Sequence, residues 1–396
     1  MTIKLDTIQV LALACFGLVI GNWLKRRFSI LDDLNIPAPI AGGLIYALAM
    51  LGSRDRVNFE LDLSLSRVLM VAFFTTVGLG ASISLVKKGG PQVLWFLIIA
   101  TVGACLQNGL GIGLAQVFGL DPLLGVVSGS VALTGGPATA LSFGKTFEAL
   151  GVTGATTLGV SCAMFGMTAG GLLGGYIGGS IIRSRGLHSA AVGASQHAVL
   201  APIHETVDIE KEEASLLTNV IVIGICMGLG SIIGAWLTAR AIVLPEYIGA
   251  MIVAAIARNI DDRFKFIGIS ERHSDLIGNI ALSLFIVMAM LGLRLWELAR
   301  LALPMITVLL VQVGLIWAMC VGVFRLMGRD YDAAVMSGGF CGFMLGTTAN
   351  AVACMSVLTQ KYGPAPRAFI VVPLVGASLI DFTNATIING LINLFR

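Results

Sequence analysis

With 396 residues, 57% hydrophobic and 12% charged, and a mean hydropathy of +0.92, this chain falls far below the roughly 25% charged content of a soluble domain. It is built to sit in a membrane. A net charge of +3 is too small to argue for nucleic acid, and the basic residues form short clusters between apolar runs rather than one long face.

The first apolar run, 8–24, is followed rather than preceded by Lys25-Arg26-Arg27, the arrangement of a retained first span and not of a removable signal. A bilayer core takes roughly 20 apolar residues per helix. That length predicts spans near 5–24, 36–51, 65–86, 93–118 and 156–182, the second of them short. Between the fourth and fifth lies a segment, 121–148, that is too apolar for a soluble loop and too rich in glycine and hydroxyls for a lipid-facing helix. A polar stretch follows at 183–215, with His188, His197 and His204 in irregular spacing that suits a solvated loop and not a metal site. Five more spans are expected near 216–239, 245–260, 275–293, 303–327 and 369–395, with a second broken segment at 330–360.

The two broken segments are near copies. Aligning Asp121 with Asp330 superposes Ser128-Gly129 on Ser337-Gly338 and Thr139 on Thr348. The expected fold is therefore an all-α polytopic membrane protein of about ten transmembrane helices. These form two five-helix repeats, 1–182 and 216–396, joined by a cytoplasmic linker at 183–215, each with a reentrant hairpin. An odd number of spans per half makes the repeats inverted. With both termini outside, sixteen of the 25 lysines and arginines fall in inner loops and nine outside, as the positive-inside rule requires.

Nonhelical backbone survives in hydrocarbon only where it is buried in protein or lines a watery cavity. Inverted repeats with broken helices are a common construction of secondary transporters, in which helix N-termini face anionic groups. The substrate-binding candidates are accordingly Ser130, Thr134, Gly135, Gly136, Thr139, Gly342, Gly346, Thr347, Thr348 and Asn350. Asp381 in the last span is costly in a membrane without a partner. It shares a helix face with Asn384 and could ligate sodium or carry a proton. Gln107, Asn108, Gln312 and Asn279 are intramembrane amides of second rank, equally suited to bonding between helices. The seven cysteines show no paired spacing. No nucleophilic triad, phosphate loop or zinc-protease motif is present, which leaves an enzyme no residues to work with, and no cofactor beyond a coupling ion is expected. A channel would also use opposed reentrant loops, but it needs an open path.

The chain resembles the bacterial sodium/glutamate symporter family from its first span to its last. The stretches that carry the likeness are Ile36-Pro37-Ala38-Pro39-Ile40-Ala41-Gly42-Gly43, Gln107-Asn108-Gly109, Gly119-Leu120-Asp121-Pro122-Leu123, Tyr331-Asp332-Ala333-Ala334-Val335, Cys341-Gly342-Phe343, and Asp381 with Asn384-Ala385. The resemblance implies import of L-glutamate with sodium in the bacterial inner membrane, ten spans, paired reentrant loops, a homodimer and an elevator movement. Two stretches depart from the family pattern, the second being Gly342-Phe343-Met344-Leu345-Gly346-Thr347-Thr348-Ala349 in place of Gly-Phe-Gly-Leu-Gly-Ala-Thr-Pro. In the first, where that pattern reads Ser-Gly-Gly-His-Gly-Thr-Gly, this chain has Thr134-Gly135-Gly136-Pro137-Ala138-Thr139-Ala140, which leaves a different carboxylate or amino acid as the alternative substrate.

Overall fold

A computed structural model describes residues 2–33, 36–53, 58–189, 209–238, 245–296 and 302–395. Most of the expected linker, with His197 and His204, lies outside the described residues. The chain forms α1 (Thr7–Arg27), α2 (Ile30–Asp33), α3 (Ala38–Ser53), α4 (Ser64–Gly80), α5 (Ile83–Val117), α6 (Pro122–Val126), α7 (Gly136–Ala149) and α8 (Ala155–Arg185). It continues with α9 (Ile209–Thr238), α10 (Glu246–Phe264), α11 (Glu271–Leu291), α12 (Ala302–Leu326), α13 (Tyr331–Met344), α14 (Thr348–Tyr362), α15 (Pro366–Leu374) and α16 (Ile380–Phe395). Among the described residues six helices are long and apolar enough to cross a membrane: α1, the part of α5 from Gly90 on, α8, most of α9, α11 and α12. That pattern marks a multi-pass membrane protein.

The structure corrects the sequence expectation in four places. The third span stops at Gly80 instead of running to 86, because the next helix starts at Ile83 and is itself broken at Gly90, in the left-handed region with φ 71°. The last span is not one α-helix: a π-helical turn, Val375–Leu379, separates α15 from α16. The helices α8 and α9 run past their apolar stretches into the two ends of the polar segment. Finally, the chain is not purely α, since Thr2–Leu5 (β1) pairs in parallel with Asn58–Leu61 (β2).

Local chemistry fixes the helix starts. Asp6 and Gln9 form a capping box at α1, each side chain bonding the other's backbone N–H at 2.8 and 3.0 Å. The two matched aspartates both cap: Asp121 accepts from Leu123 N at 2.8 Å and Asp330 from Ala333 N at 2.9 Å.

Packing sorts the helices into two groups. One, here the frame, holds α1, α3, α4, α9, α10 and α11; the other, the core, holds α5 to α8 and α12 to α16. In the frame, α1 packs on α3 as α9 packs on α10, and α4 on α10 as α11 on α3, while α4 and α11 pack on each other. In the core, α5 packs on α6 as α12 packs on α13. Glycine lets the backbones touch in both halves. A Cβ on Gly42 would collide with Gly17 O, and one on Gly249 with Gly230 O. In the core, Gly166, Gly170, Gly174 and Gly178 recur every fourth residue along α8 and press it onto α13 and α14.

The link between the groups at α4–α5 is tied to the frame. Asn259 of α10 accepts from Ile83 N and donates to Ala81 O, both at 2.8 Å, and Ser82 donates to Asp262. Nearby, Asp261 is buried beyond the apolar run of α10 and takes Ile267 N, Gly268 N and Ile269 N at 2.7 to 3.0 Å. Burial pushes its carboxyl up. The N–H groups of Ile269, Ile267 and Gly268, with the Arg258 guanidinium, outweigh that and hold it below the usual range. A depressed carboxyl contributes stability that is present at neutral pH and lost as pH falls through its folded value. Thermal unfolding in detergent is expected to show this loss in the wild type and not in Asp261→Asn. Gly42→Leu is expected to abolish a monodisperse folded peak on size exclusion, whereas Gly224→Leu, whose Cβ would meet nothing within 4 Å, leaves it intact.

Candidate functional site

The first broken segment is shaped by what lies against it. After α6 the chain passes through a π-helical turn, Val127–Val131, in which Gly129 leaves helical geometry (φ −94°, ψ −128°). Only a glycine fits there, since a Cβ would come within 2.8 Å of Asn108 Oδ1 and 3.0 Å of Gln107 O. The chain then turns over Ala132–Gly135, and α7 begins at Gly136, whose φ of +67° needs glycine, with Pro137 behind it. In the second segment α13 ends at Met344, and α14 restarts at Thr348 after Leu345-Gly346-Thr347. The two breaks meet: a Cβ on Gly136 would lie 3.2 Å from Thr347 Cγ2. Neither helix start, at α7 or at α14, has a side-chain cap. Each therefore leaves the unpaired N–H groups of its first turn, with the positive end of its dipole, for something else to satisfy.

A chain of buried amides holds this arrangement. Gln107 of α5 accepts from Thr134 Oγ1 at 2.5 Å and donates to Met344 O at 2.8 Å, so one side chain bolts the first break to the end of α13. Gln312 of α12 donates to Gln107 O at 2.7 Å. Asn108 donates to Ser130 Oγ at 2.8 Å and accepts from Ser130 N at 3.0 Å, while Asn384 of α16 donates to Ser130 O at 3.1 Å. Asn350 donates to Met167 O at 2.8 Å and anchors the start of α14 on α8. Gln312 Oε1 and Asn384 Oδ1 are buried acceptors without a partner among the described residues.

A cavity of about 490 Å³ lies between the breaks and the frame. From the core it is lined by Thr134, Gly135, Gly346, Thr347, Thr348 and Asp381, and from the frame by Thr76 of α4 and Glu271, Asp275, Asn279 and Ser283 of α11. Asp381 has no hydrogen bond or ion pair among the described residues, and no lysine, arginine or histidine is among the lining residues. Glu271, Asp275 and Asn279 also line a second, open cavity of about 830 Å³ at the starts of α9 and α11. Elsewhere the seam between frame and core is filled by side chains. There Tyr247 of α10 stacks on Phe74 at 3.8 Å and meets the Phe143 ring of α7 edge-on at 5.9 Å, and Lys145 Nζ sits 6.0 Å above Phe285.

The sequence candidates thus separate by position. Thr134, Gly135, Gly346, Thr347, Thr348, Asp381 and Asn279 line the cavity. Gly136 stands at the meeting of the breaks, while Thr139 packs on Gly135 and Gly342 on the Asn350 backbone. Ser130, Asn350, Gln107, Asn108, Gln312 and Asn384 lie behind the cavity wall as cross-links. Sequence reasoning passed over Thr76, Asp275 and Ser283. They sit in helices that read as plain spans, and only the packing of α4 against α11 turns them toward the breaks.

A profile of the family described as Sodium/glutamate symporter matches residues 3–364. The sodium/glutamate symporter of Escherichia coli strain K12 is 40% identical over 391 residues, covering 97% of this chain and 96% of that protein. The sodium/glutamate symporter of Haemophilus influenzae is 35% identical over 396 residues, covering 98% and 97%.

Replacing Gln107 by leucine orphans Met344 O and leaves Thr134 Oγ1 only its 3.8 Å contact to Met344 Sδ, at a cost of roughly 1–3 kcal/mol per buried group. The expected result is a lower unfolding temperature in detergent than that of Gln116→Leu, a control at the exposed far end of the same helix.

Proposed function

The chain belongs to the sodium/glutamate symporter family, and on that basis we propose that it imports L-glutamate coupled to sodium, with the cavity between the two breaks as the seat of the amino acid. It acts as a transporter and not as an enzyme. The observation that carries this reading is the pair of uncapped helix starts meeting beside the cavity. With no basic side chain among the lining residues, carboxylates must be held by backbone N–H groups and helix dipoles. The hydroxyls of Thr134, Thr347 and Thr348 add donors. Sodium is assigned to the amide cluster of Gln107, Asn108, Gln312 and Asn384, where the oxygens of Gln312 and Asn384 have no hydrogen-bond partner among the described residues.

The mirrored neighbours of the two halves support an inverted repeat: α1, α3 and α4 correspond to α9, α10 and α11, and the rest of each half forms the core. In this reading the segments 121–148 and 330–360 are reentrant hairpins from opposite faces, and both termini lie outside the inner membrane. The frame and core then suit an elevator in which the core carries the cargo past a fixed, dimeric frame. Through Glu271, Asp275 and Asn279 the cavity borders the open one at the starts of α9 and α11, which is the cytoplasmic side in this topology. Coupling is energetically direct. Glutamate enters with net charge −1, so one sodium makes transport electroneutral and a second adds about 2.3 kcal/mol per 100 mV of membrane potential. The lack of basic lining residues also favours a second reading, a symporter for another amino acid.

A sodium jump is expected to drive concentrative glutamate uptake into proteoliposomes, and Thr348→Trp to abolish it while leaving expression and the size-exclusion profile unchanged. Normal uptake by that variant would remove the cavity from the transport path, and counterflow without an imposed gradient separates a carrier from a channel.

A further inference from the structure

We infer that Asp381 receives the α-ammonium group of the transported amino acid and is the residue that makes the carrier prefer an amino acid over a dicarboxylate of the same length. This rests on the reading of the cavity as the amino-acid seat.

L-glutamate brings two carboxylates and one ammonium to a cavity with no cationic side chain among its lining residues. The helix starts at α7 and α14 offer N–H donors, which suit the carboxylates and cannot accept from an ammonium. Acceptors of full charge are limited to the three lining carboxylates, Glu271, Asp275 and Asp381. Glu271 lies 3.9 Å from Arg258 Nη2, and it and Asp275 face the second cavity as well. Both belong to α11, in the frame. Asp381 belongs to the core, the group that contains both breaks.

Its position ties it to the anion-binding end of the seat. The π-helical turn before α16 packs on the start of α14, where a Cβ on Gly376 would come within 2.7 Å of Thr348 Oγ1. The carboxylate for the ammonium and the N–H groups for the carboxylates are therefore carried by one packed unit, and cargo can travel with the core without exchanging partners. An intramembrane carboxylate is rarely retained without a partner. Asp381 has none among the described residues, and the substrate ammonium supplies one through a charge-assisted hydrogen bond.

The test is competition by glutarate, which is glutamate without its amino group, against labelled glutamate binding to the purified full-length protein at saturating sodium. A site that bonds a substrate amine rejects the analogue lacking it by large factors. The wild type is expected to bind glutarate roughly 100-fold or more weakly than glutamate. In Asp381→Asn this gap is expected to narrow to about tenfold or less, through weaker glutamate binding with glutarate unchanged or tighter, while the half-saturating sodium concentration stays put. Asp381→Glu keeps the charge and is expected to keep most of the preference, which separates recognition from a folding defect in the asparagine variant. An unchanged gap together with a shifted sodium dependence would make Asp381 an ion ligand and overturn the inference while leaving the seat intact. Glutamate binding that survives Thr348→Trp would overturn the seat and the inference together.

Discussion

Backbone polar groups have no water to turn to inside a bilayer, so every helix interruption there must be paid for by a protein partner. This chain interrupts its helices at Ala132–Gly135, at Leu345–Thr347 and at the π-helical turn before α16. Gln107 ties the first two together, accepting from the Thr134 hydroxyl on its oxygen and donating from its nitrogen to the Met344 carbonyl. Gln312 holds Gln107 in turn, through its backbone carbonyl. Beside the breaks, the starts of α7 and α14 carry no side-chain cap, and the amide oxygens of Gln312 and Asn384 have no partner among the described residues. In the proposed reading, an anion and a cation complete those groups.

Lipid gives two helices no hydrophobic reason to associate, so the frame and the core are each held by close backbone approach. Glycine supplies it within each group, at Gly17 and Gly42, at Gly230 and Gly249, and along the four-residue stripe of α8. Between the groups the contact is of another kind. Phe143 and Lys145 of α7 meet aromatic rings of α10 and α11, a surface of side chains without interlocked backbones. Such a seam suits the proposed elevator, in which the two groups shift against each other and keep the packing within each.

The electrostatics of the seat follow from the same division. Carboxylates on α11 stay with the frame, whereas Asp381 and both helix starts stay with the core. In the elevator reading proposed above, a cargo held by the core alone keeps its partners whichever side of the membrane the cavity opens to.

Composition and local pattern were enough to reveal a multi-pass helical protein, the two glycine-rich segments and their alignment on Asp121 and Asp330, because the cost of polar backbone in hydrocarbon is written directly into residue choice. The same logic singled out Thr134, Thr347, Thr348 and Asp381, whose polarity is out of place in an apolar run. Sequence could not tell a lining residue from a brace: Ser130, Asn350 and Gln107 are as polar as their neighbours, and only their partners, tens to hundreds of residues away, turn them into cross-links. Nor could it find Thr76, Asp275 and Ser283, or the division into frame and core, since which face of α4 or α11 looks toward the breaks is fixed by helix packing and not by the order of residues along either helix.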